Sequence, residues 1–212
     1  MKTRPQPLNN GVYEALKRDI LCMELSPGSV LCERAIAKEM DVSRTPVREA
    51  LQRLESDGLV KRYPKLGAVV SELLLRDVAE AFQIREFIES PAAAIAAKVL
   101  TREQLAVVSE TFERLEREQN GPEACLLHDE MDLLIHSLVI NATGNSRLIG
   151  IMSSLDNVCR RARSIATPVW FRESIAEHRR LVEALERGDS AAAETAMRAH
   201  LVATKKRLIE IV

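Results

Sequence analysis

The fold of this chain is decided by one short stretch in its first third, Ser43-Arg44-Thr45-Pro46-Val47-Arg48-Glu49-Ala50-Leu51. Apolar residues here and just beyond recur at the spacing of one buried helix face: Val47, Ala50, Leu51 and Leu54. The opposite face carries Arg44, Arg48 and Gln52. A helix that enters the DNA major groove needs this division, because one face attaches it to its domain while long donors reach base edges and phosphates.

The segments before this helix are short and predict two more helices. The first is amphipathic through Tyr13, Leu16, Ile20 and Leu21, and the second is placed by Leu31, Ile36 and Met40. The tight turn Asp41-Val42-Ser43 follows. Ser43 or Thr45 can cap the third helix, and Pro46 is tolerated because it lies in the first turn.

Beyond the third helix the pattern changes to a predicted β-hairpin. Two β-compatible runs, 59–63 and 68–72, enclose the turn formers Pro64-Lys65-Leu66-Gly67, which give the hairpin a basic tip. An isolated basic helix face is more often simply solvated than bound to DNA. Three helices, a short turn and a hairpin in this order favour a winged helix-turn-helix that reads DNA.

The N-terminal part of the sequence resembles the GntR family of bacterial regulators. The matching segments are Leu25-Ser26-Pro27-Gly28, Leu31-Cys32-Glu33-Arg34, the stretch from Ser43 to Leu51, Leu54, and Asp57-Gly58-Leu59-Val60. The resemblance implies that Arg34, Arg44 and Arg48 contact DNA and that Ser43 and Thr45 anchor phosphates. It also implies that Gly67 lets the wing, with Lys65 at its tip, approach closely. Cys32 stands where many members carry Ser, which predicts a weaker helix cap.

Residues 75–212 have a different character, being rich in Ala, Leu, Glu and Arg with apolar residues at helical spacing. Stops and caps, including the capping box Thr101-Arg102-Glu103-Gln104 and the N-cap Asp189, delimit six predicted helices: 75–99, 102–119, 123–141, 145–166, 170–187 and 190–210. Pro91 predicts a kink or a break in the first of them. The chain is therefore expected to be mainly α: a winged helix-turn-helix domain with a small hairpin wing over 1–73, and an all-α bundle over 74–212.

Composition adds weaker constraints. The 212 residues carry a net charge of −1, with a slight basic excess in the first part and an acidic excess in the remainder, which alone argues little for DNA binding. Neither a membrane span nor a signal peptide is evident, so a cytoplasmic location is expected. The cysteines are too widely spaced for a zinc finger or a redox pair and are expected to be buried thiols: Cys22, Cys32, Cys125 and Cys159.

All four histidines lie in the helical part, and three of them suggest a metal site. Asp132 and His136 are four residues apart and share a helix face, while His178 and His200 belong to two other predicted helices. A bundle can bring such groups to one divalent cation, and imidazole with carboxylate suits zinc, nickel or manganese. An Asp-x-x-x-His pair alone is more often a surface pair.

The helical part resembles the ligand-binding domain of the FadR subfamily in its metal-containing (FCD) form. The matching segments are 84–89, 132–136, 144–148, 177–179 and 199–201. The resemblance implies that the metal ligands are Asp132, His136, His178 and His200, with zinc the first choice, whereas His128 matches no ligand position. Four ligands leave an octahedral metal two positions, which a small carboxylate effector could fill. Arg85 is the first candidate for contacting that effector; Arg161 and Arg163 are weaker ones.

The sequence therefore predicts a homodimeric, ligand-responsive transcription regulator, usually a repressor, that reads a palindromic operator in double-stranded DNA and has no enzymatic activity. Two alternatives stay open from the residues: a helical-bundle metalloenzyme, and a protein whose metal is purely structural.

Overall fold

The computed structural model describes residues 8–21, 24–64, 66–118, 122–165 and 171–210. The helices and strands occur in the order α1 (Leu8–Leu21), β1 (Val30–Leu31), α2 (Glu33–Glu39), α3 (Arg44–Ser56), β2 (Val60–Tyr63), β3 (Gly67–Val70), α4 (Leu75–Val99), α5 (Arg102–Glu118), α6 (Pro122–Asn141), α7 (Ser146–Ile165), α8 (Phe171–Glu186) and α9 (Ser190–Ile209). The predicted fold class, a winged helix-turn-helix followed by a helical domain, is confirmed. No helix in these ranges is long and apolar enough to cross a membrane.

The chain divides into two compact units. The first, called the N-terminal unit, comprises Met1–Leu74 together with Asp156–Ile165. The second, called the helical unit, comprises Leu75–Leu155 and Ala166–Val212. The sequence analysis predicted a domain boundary between residues 73 and 74. It did not predict that the second half of α7 groups with the N-terminal residues.

The first unit is built on the apolar faces predicted for its three helices. Val47, Ala50, Leu51 and Leu54 are almost fully buried, and so are the predicted core positions of α1. The wing hairpin pairs antiparallel, with Val60 opposite Val70 and Tyr63 opposite Gly67. The sheet has a third strand, β1, which pairs with β3. The sequence did not predict it, because it is only two residues long.

The six helices predicted for residues 75–212 are all present, with bounds that differ from the prediction by no more than one residue at either end. The capping box is confirmed, since Thr101 N donates to Gln104 Oε1 and Gln104 N donates to Thr101 Oγ1. Asp189 is confirmed as an N-cap, because its side chain accepts from Ala192 N. The break considered at Pro91 is absent, and α4 runs without interruption from Leu75 to Val99.

Two smaller expectations for the first unit are wrong. Ser43 is the N-cap of α3, but neither its hydroxyl nor any other side chain makes the capping bond there. Cys32 occupies the N-cap position of α2 at the surface and is exposed rather than buried, whereas Cys159 is buried. Cys22, the side chain of Cys125, Lys65 and Trp170 lie outside the described residues.

Candidate metal centre and nucleic-acid interface

The helical unit brings the four predicted ligand residues to one point. Asp132 and His136 project from α6, His178 from α8 and His200 from α9. All four are buried, and each offers one ligand atom within 4.8 Å of all the others. The i, i+4 spacing on α6 places the first two on one face, and the packing of α6, α8 and α9 supplies the rest.

The facing atoms are those that would bind an ion. His178 Nε2 lies 3.5 Å from His136 Nε2. Asp132 Oδ1 lies 3.6 Å from His178 Nε2 and 3.7 Å from His136 Nε2. The rings of His178 and His200 are 4.1 Å apart between centroids. Three imidazoles and one carboxylate at this separation are a donor set that fits a divalent transition-metal ion.

Burial determines the protonation of two histidines of this cluster, His178 and His200. It lowers the pKa of His178 well below the usual value, and the neighbouring His200 adds repulsion in the same direction. Burial also lowers the pKa of His200. Both imidazoles are therefore held neutral, which is the form that binds metals. An ion held by these four residues would supply a Lewis acid.

Three further side chains contact the Nδ1 atoms of the histidines. His136 Nδ1 contacts Glu89 of α4, His200 Nδ1 lies 3.0 Å from Glu177 Oε2, and His178 Nδ1 lies 3.5 Å from Ser174 Oγ. The sequence reasoning missed all three. The signals for two of them were present, because Glu89 closes the matched segment 84–89 and Glu177 directly precedes His178.

The remaining candidates of the helical part are placed differently. Arg85 is buried and its Nε lies 2.5 Å from Glu89 Oε1. His128 is outside the four-residue cluster, and its Nε2 lies 3.0 Å from Ser174 Oγ. Arg161 and Arg163 belong to the part of α7 that groups with the N-terminal unit, where Arg161 donates to the carbonyl of Ser71.

In the N-terminal unit, the side chains predicted to contact DNA lie at the surface. Arg44 and Arg48 are exposed on the same face of α3, and Ser43 and Thr45 are exposed at its start. Glu33 at the start of α2 accepts from both arginines, at 3.5 Å from Arg44 Nη2 and 3.2 Å from Arg48 Nη2. This shared carboxylate holds the two guanidinium groups side by side.

The wing completes this surface. An open cleft of about 500 Å³ is lined by residues of α2, α3 and the hairpin, among them Arg34, Arg44, Arg62 and Gly67. Gly67 has a φ of 89°, which non-glycine residues rarely adopt, so the wing turn depends on it. Arg62 was not predicted; its Nη2 donates to the Arg48 carbonyl at 3.2 Å, which adds a cation from the wing next to the α3 pair.

Two family models match the chain. The model of the FCD domain matches residues 80–203, and the model of bacterial regulatory proteins of the gntR family matches residues 8–70. The two matches together contain the metal cluster and the exposed arginines of α3.

Individual relatives extend over most of the chain. An HTH-type transcriptional regulator in an unstable DNA locus of Streptomyces ambofaciens is 33% identical over 90% of this chain and 80% of the relative. The HTH-type transcriptional repressor RspR of Escherichia coli is 29% identical over 92% of this chain and 86% of its own. Among solved structures, E. coli McbR/YncC has the same fold, with a TM-score of 0.80, 24% identity and coverage of 97% of this chain and 98% of that one.

Proposed function

The chain belongs to the GntR family of bacterial regulatory proteins in its FCD-domain form, and from this premise we propose that it is a ligand-responsive repressor. It binds operator DNA through the N-terminal unit and senses a small carboxylate next to a divalent metal ion in the helical unit. The observation that carries this proposal is the convergence of Asp132, His136, His178 and His200 on one buried point.

The DNA-reading role rests on α3 and its surroundings. Arg44 and Arg48 extend from the exposed face of a helix whose other face is buried, which suits contact with base edges in the major groove. Ser43, Thr45 and Arg34 contact phosphates, and the Lys65–Gly67 tip contacts the backbone beside the helix. One relative, RspR, is named a repressor, which supports repression as the outcome.

The sensing role rests on the buried cluster. Asp132, His136, His178 and His200 would hold zinc as the first choice, with nickel or manganese compatible with the same donors. The effector is a small organic acid, since a carboxylate is attracted both to a cation and to a guanidinium. We propose that the guanidinium of Arg85 binds the carboxylate of this effector. The matched families consist of regulators, and no enzymatic activity is part of the proposal.

A homodimer is proposed because a palindromic operator presents two identical half-sites. The face available for it is an exposed apolar stripe on α4 that consists of Ile84, Phe87, Pro91 and Ile95. Phe87 is 68% exposed, which is unusual for so large an apolar side chain. A two-fold interface places the same patch of both copies together, so an apolar stripe is complementary to a second copy of itself.

A purely structural metal is the second candidate function, and the burial of all four ligands favours it. The two functions differ in the effect of a ligand substitution. His178→Ala should leave the DNA-binding unit folded and abolish the effector response if the ion takes part in sensing. It should unfold the helical unit if the ion is structural.

The proposal is tested by selecting DNA with the full-length chain from fragments of the source genome. Binding to the selected duplex should be sequence-selective and should weaken steeply as salt rises, because phosphate contacts release counterions. Zinc-loaded protein is then screened by thermal shift against acetate, lactate, succinate and citrate, since a ligand of the native state raises its melting temperature. Failure to select any sequence would contradict the DNA-binding role.

A further inference from the structure

We propose that Glu89 and Glu177 are positioning residues of the metal site, each holding one histidine ligand by its Nδ1 while an arginine anchors the carboxylate. The inference rests on the proposed metal site and extends it from the ligands to the groups that orient them. It assigns a role to two carboxylates and two arginines that lie outside the ligand set: Glu89 with Arg85, and Glu177 with Arg207.

The first assembly is completely buried. Glu89 on α4 is 0% exposed, and its two oxygens have separate partners. Oε2 accepts from His136 Nδ1, and Oε1 lies 2.5 Å from Arg85 Nε. A carboxylate with one oxygen on an imidazole and the other on a guanidinium cannot rotate without breaking a charge-assisted bond. The His136 ring is therefore fixed with Nε2 toward the cluster.

The second assembly repeats this arrangement from other helices. Glu177 Oε2 lies 3.0 Å from His200 Nδ1. Arg207, almost two turns beyond His200 on α9, donates to both oxygens of Glu177 at 2.7 Å. This bidentate pair fixes the plane of the carboxylate, and the carboxylate in turn fixes the ring of His200.

Each carboxylate is paired with a guanidinium, which stays charged at neutral pH. Glu89 contacts Arg85 inside the core, and Glu177 pairs with Arg207 in partly buried surroundings. Such a pair favours the ionised form of the carboxylate. An ionised acceptor at Nδ1 keeps the proton on that nitrogen and makes Nε2 a better electron donor to a metal.

The third histidine gives an internal comparison. Nδ1 of His178 has a neutral neighbour, Ser174 Oγ, at the longer distance of 3.5 Å. The hydroxyl in turn lies 3.0 Å from His128 Nε2. Because a hydroxyl carries no charge, it orients the ring of His178 without the electrostatic contribution that Glu89 and Glu177 make. Loss of Ser174 should therefore weaken metal binding less than loss of either carboxylate.

Replacing either glutamate by glutamine keeps the volume of the side chain but removes the carboxylate that the histidine and the arginine share. Both oxygens of each carboxylate accept hydrogen bonds, from one imidazole and one guanidinium: two bonds at Glu89 and three at Glu177. An amide has one acceptor oxygen, so its NH₂ group must face one of these donors. The histidine then loses its ionised partner or the arginine is displaced, and outer contacts of this type are worth about 10- to 100-fold in metal affinity.

The test measures Zn²⁺ affinity of the full-length chain by competition with a chromophoric chelator, and coordination by the visible spectrum of the Co²⁺ form. Glu89→Gln and Glu177→Gln are compared with Ser174→Ala. The matched controls are Glu80→Gln and Glu183→Gln, exposed glutamates on the same two helices. We expect affinity to fall about 10- to 100-fold in the first two variants, with an altered Co²⁺ spectrum, and to stay unchanged in the controls.

The melting temperature of the metal-free variants separates positioning from folding. If Glu89→Gln does not fold, Glu177→Gln decides, since Glu177 is partly exposed and its removal disturbs the core less. Affinities within twofold of the parent chain would overturn the inference while leaving the metal site intact. Affinity losses that occur only with an equally large fall in metal-free stability would overturn it too. A parent chain that binds no Zn²⁺ would instead refute the proposed metal site itself.

Discussion

Nε2 of His178 lies 3.5 Å from Nε2 of His136, although the two residues are 42 positions apart and belong to different helices. A neutral imidazole can offer its Nε2 lone pair to a metal ion. The carboxylate of Asp132, at 3.6 Å from His178 Nε2, adds a negative donor to the same point, so these groups together suit a divalent metal ion.

Removal of one ligand should abolish tight metal binding. For His178→Ala we expect the Zn²⁺ retained after dialysis to fall from one ion per chain to near zero, because a ligand contributes more than the roughly 10- to 100-fold assigned to outer contacts. Metal content by atomic spectroscopy measures this. Glu183→Ala is the control, since Glu183 is exposed on α8, the helix that carries His178. Equal zinc in both variants would refute the ligand assignment.

Substitution of the exposed arginines of α3 should weaken operator binding. Arg48→Ala and Arg44→Ala should each cost about 1–3 kcal/mol on the selected duplex, and much less on a scrambled one, if the side chains read base edges. Fluorescence anisotropy with both duplexes gives the two values. Arg18→Ala removes an exposed charge from α1 and should leave the preference unchanged. An equal loss on both duplexes would reassign the arginines to phosphates.

A charge placed on the α4 stripe should separate the homodimer. Phe87→Asp puts a carboxylate where the proposed interface is apolar, and its desolvation would favour the monomer. Light scattering coupled to gel filtration should show half the molar mass at low micromolar concentration. Val107→Asp, at another exposed apolar position, on α5, should remain dimeric. A dimer that survives Phe87→Asp would move the interface elsewhere.

The N-terminal unit should lose stability at high pH through Tyr13. Burial, followed by the hydrogen bond to Asp57, raises the pKa of Tyr13 to about 12. An unfolded tyrosine ionises near pH 10, so the contribution of Tyr13 is present below about pH 10 and is lost as the pH rises to about 12. Tyr13→Phe should reduce stability by about 1 kcal/mol at pH 7 and flatten this decline.

Urea unfolding followed by circular dichroism at pH 7 and at successive values above pH 9 would measure both effects for Tyr13→Phe. The ring of Tyr13 lies 3.9 Å from the Arg53 guanidinium, and phenylalanine keeps that contact, so the variant isolates the hydroxyl. A decline of the same size in the variant and the parent chain would assign the pH effect to another group.

The elements of the fold that could be predicted from sequence are those with a strong local pattern. The bounds of α4 and α5 follow from apolar periodicity and from the capping box at Thr101, both of which act within a few residues. Strand β1 could not be predicted, because two residues carry no periodicity and its pairing with β3 depends on a partner nearly forty residues away. The uninterrupted α4 shows that its packing tolerates the bond lost at Pro91.

In the candidate metal site, the ligands could be predicted from sequence but the side chains that orient them could not. The family resemblance predicts Asp132, His136, His178 and His200 as the ligands, and the structure brings these four residues together. The orienting carboxylate Glu177 was not predicted, because a glutamate next to a histidine in sequence is common and only the fold shows which nitrogen it contacts. The arginine that anchors Glu177, Arg207, could not be predicted either, because the two residues meet only when α8 packs on α9.

The most direct measurement is the dissociation constant of the full-length, Zn²⁺-loaded chain for the selected operator and for a scrambled duplex of equal length, at 150 mM salt. A sequence-reading regulator should prefer the operator by at least about 10³-fold, and an effector identified by the thermal-shift screen should reduce that preference. Equal affinities for the two duplexes, or a preference that no effector changes in the parent chain, would contradict a ligand-responsive repressor.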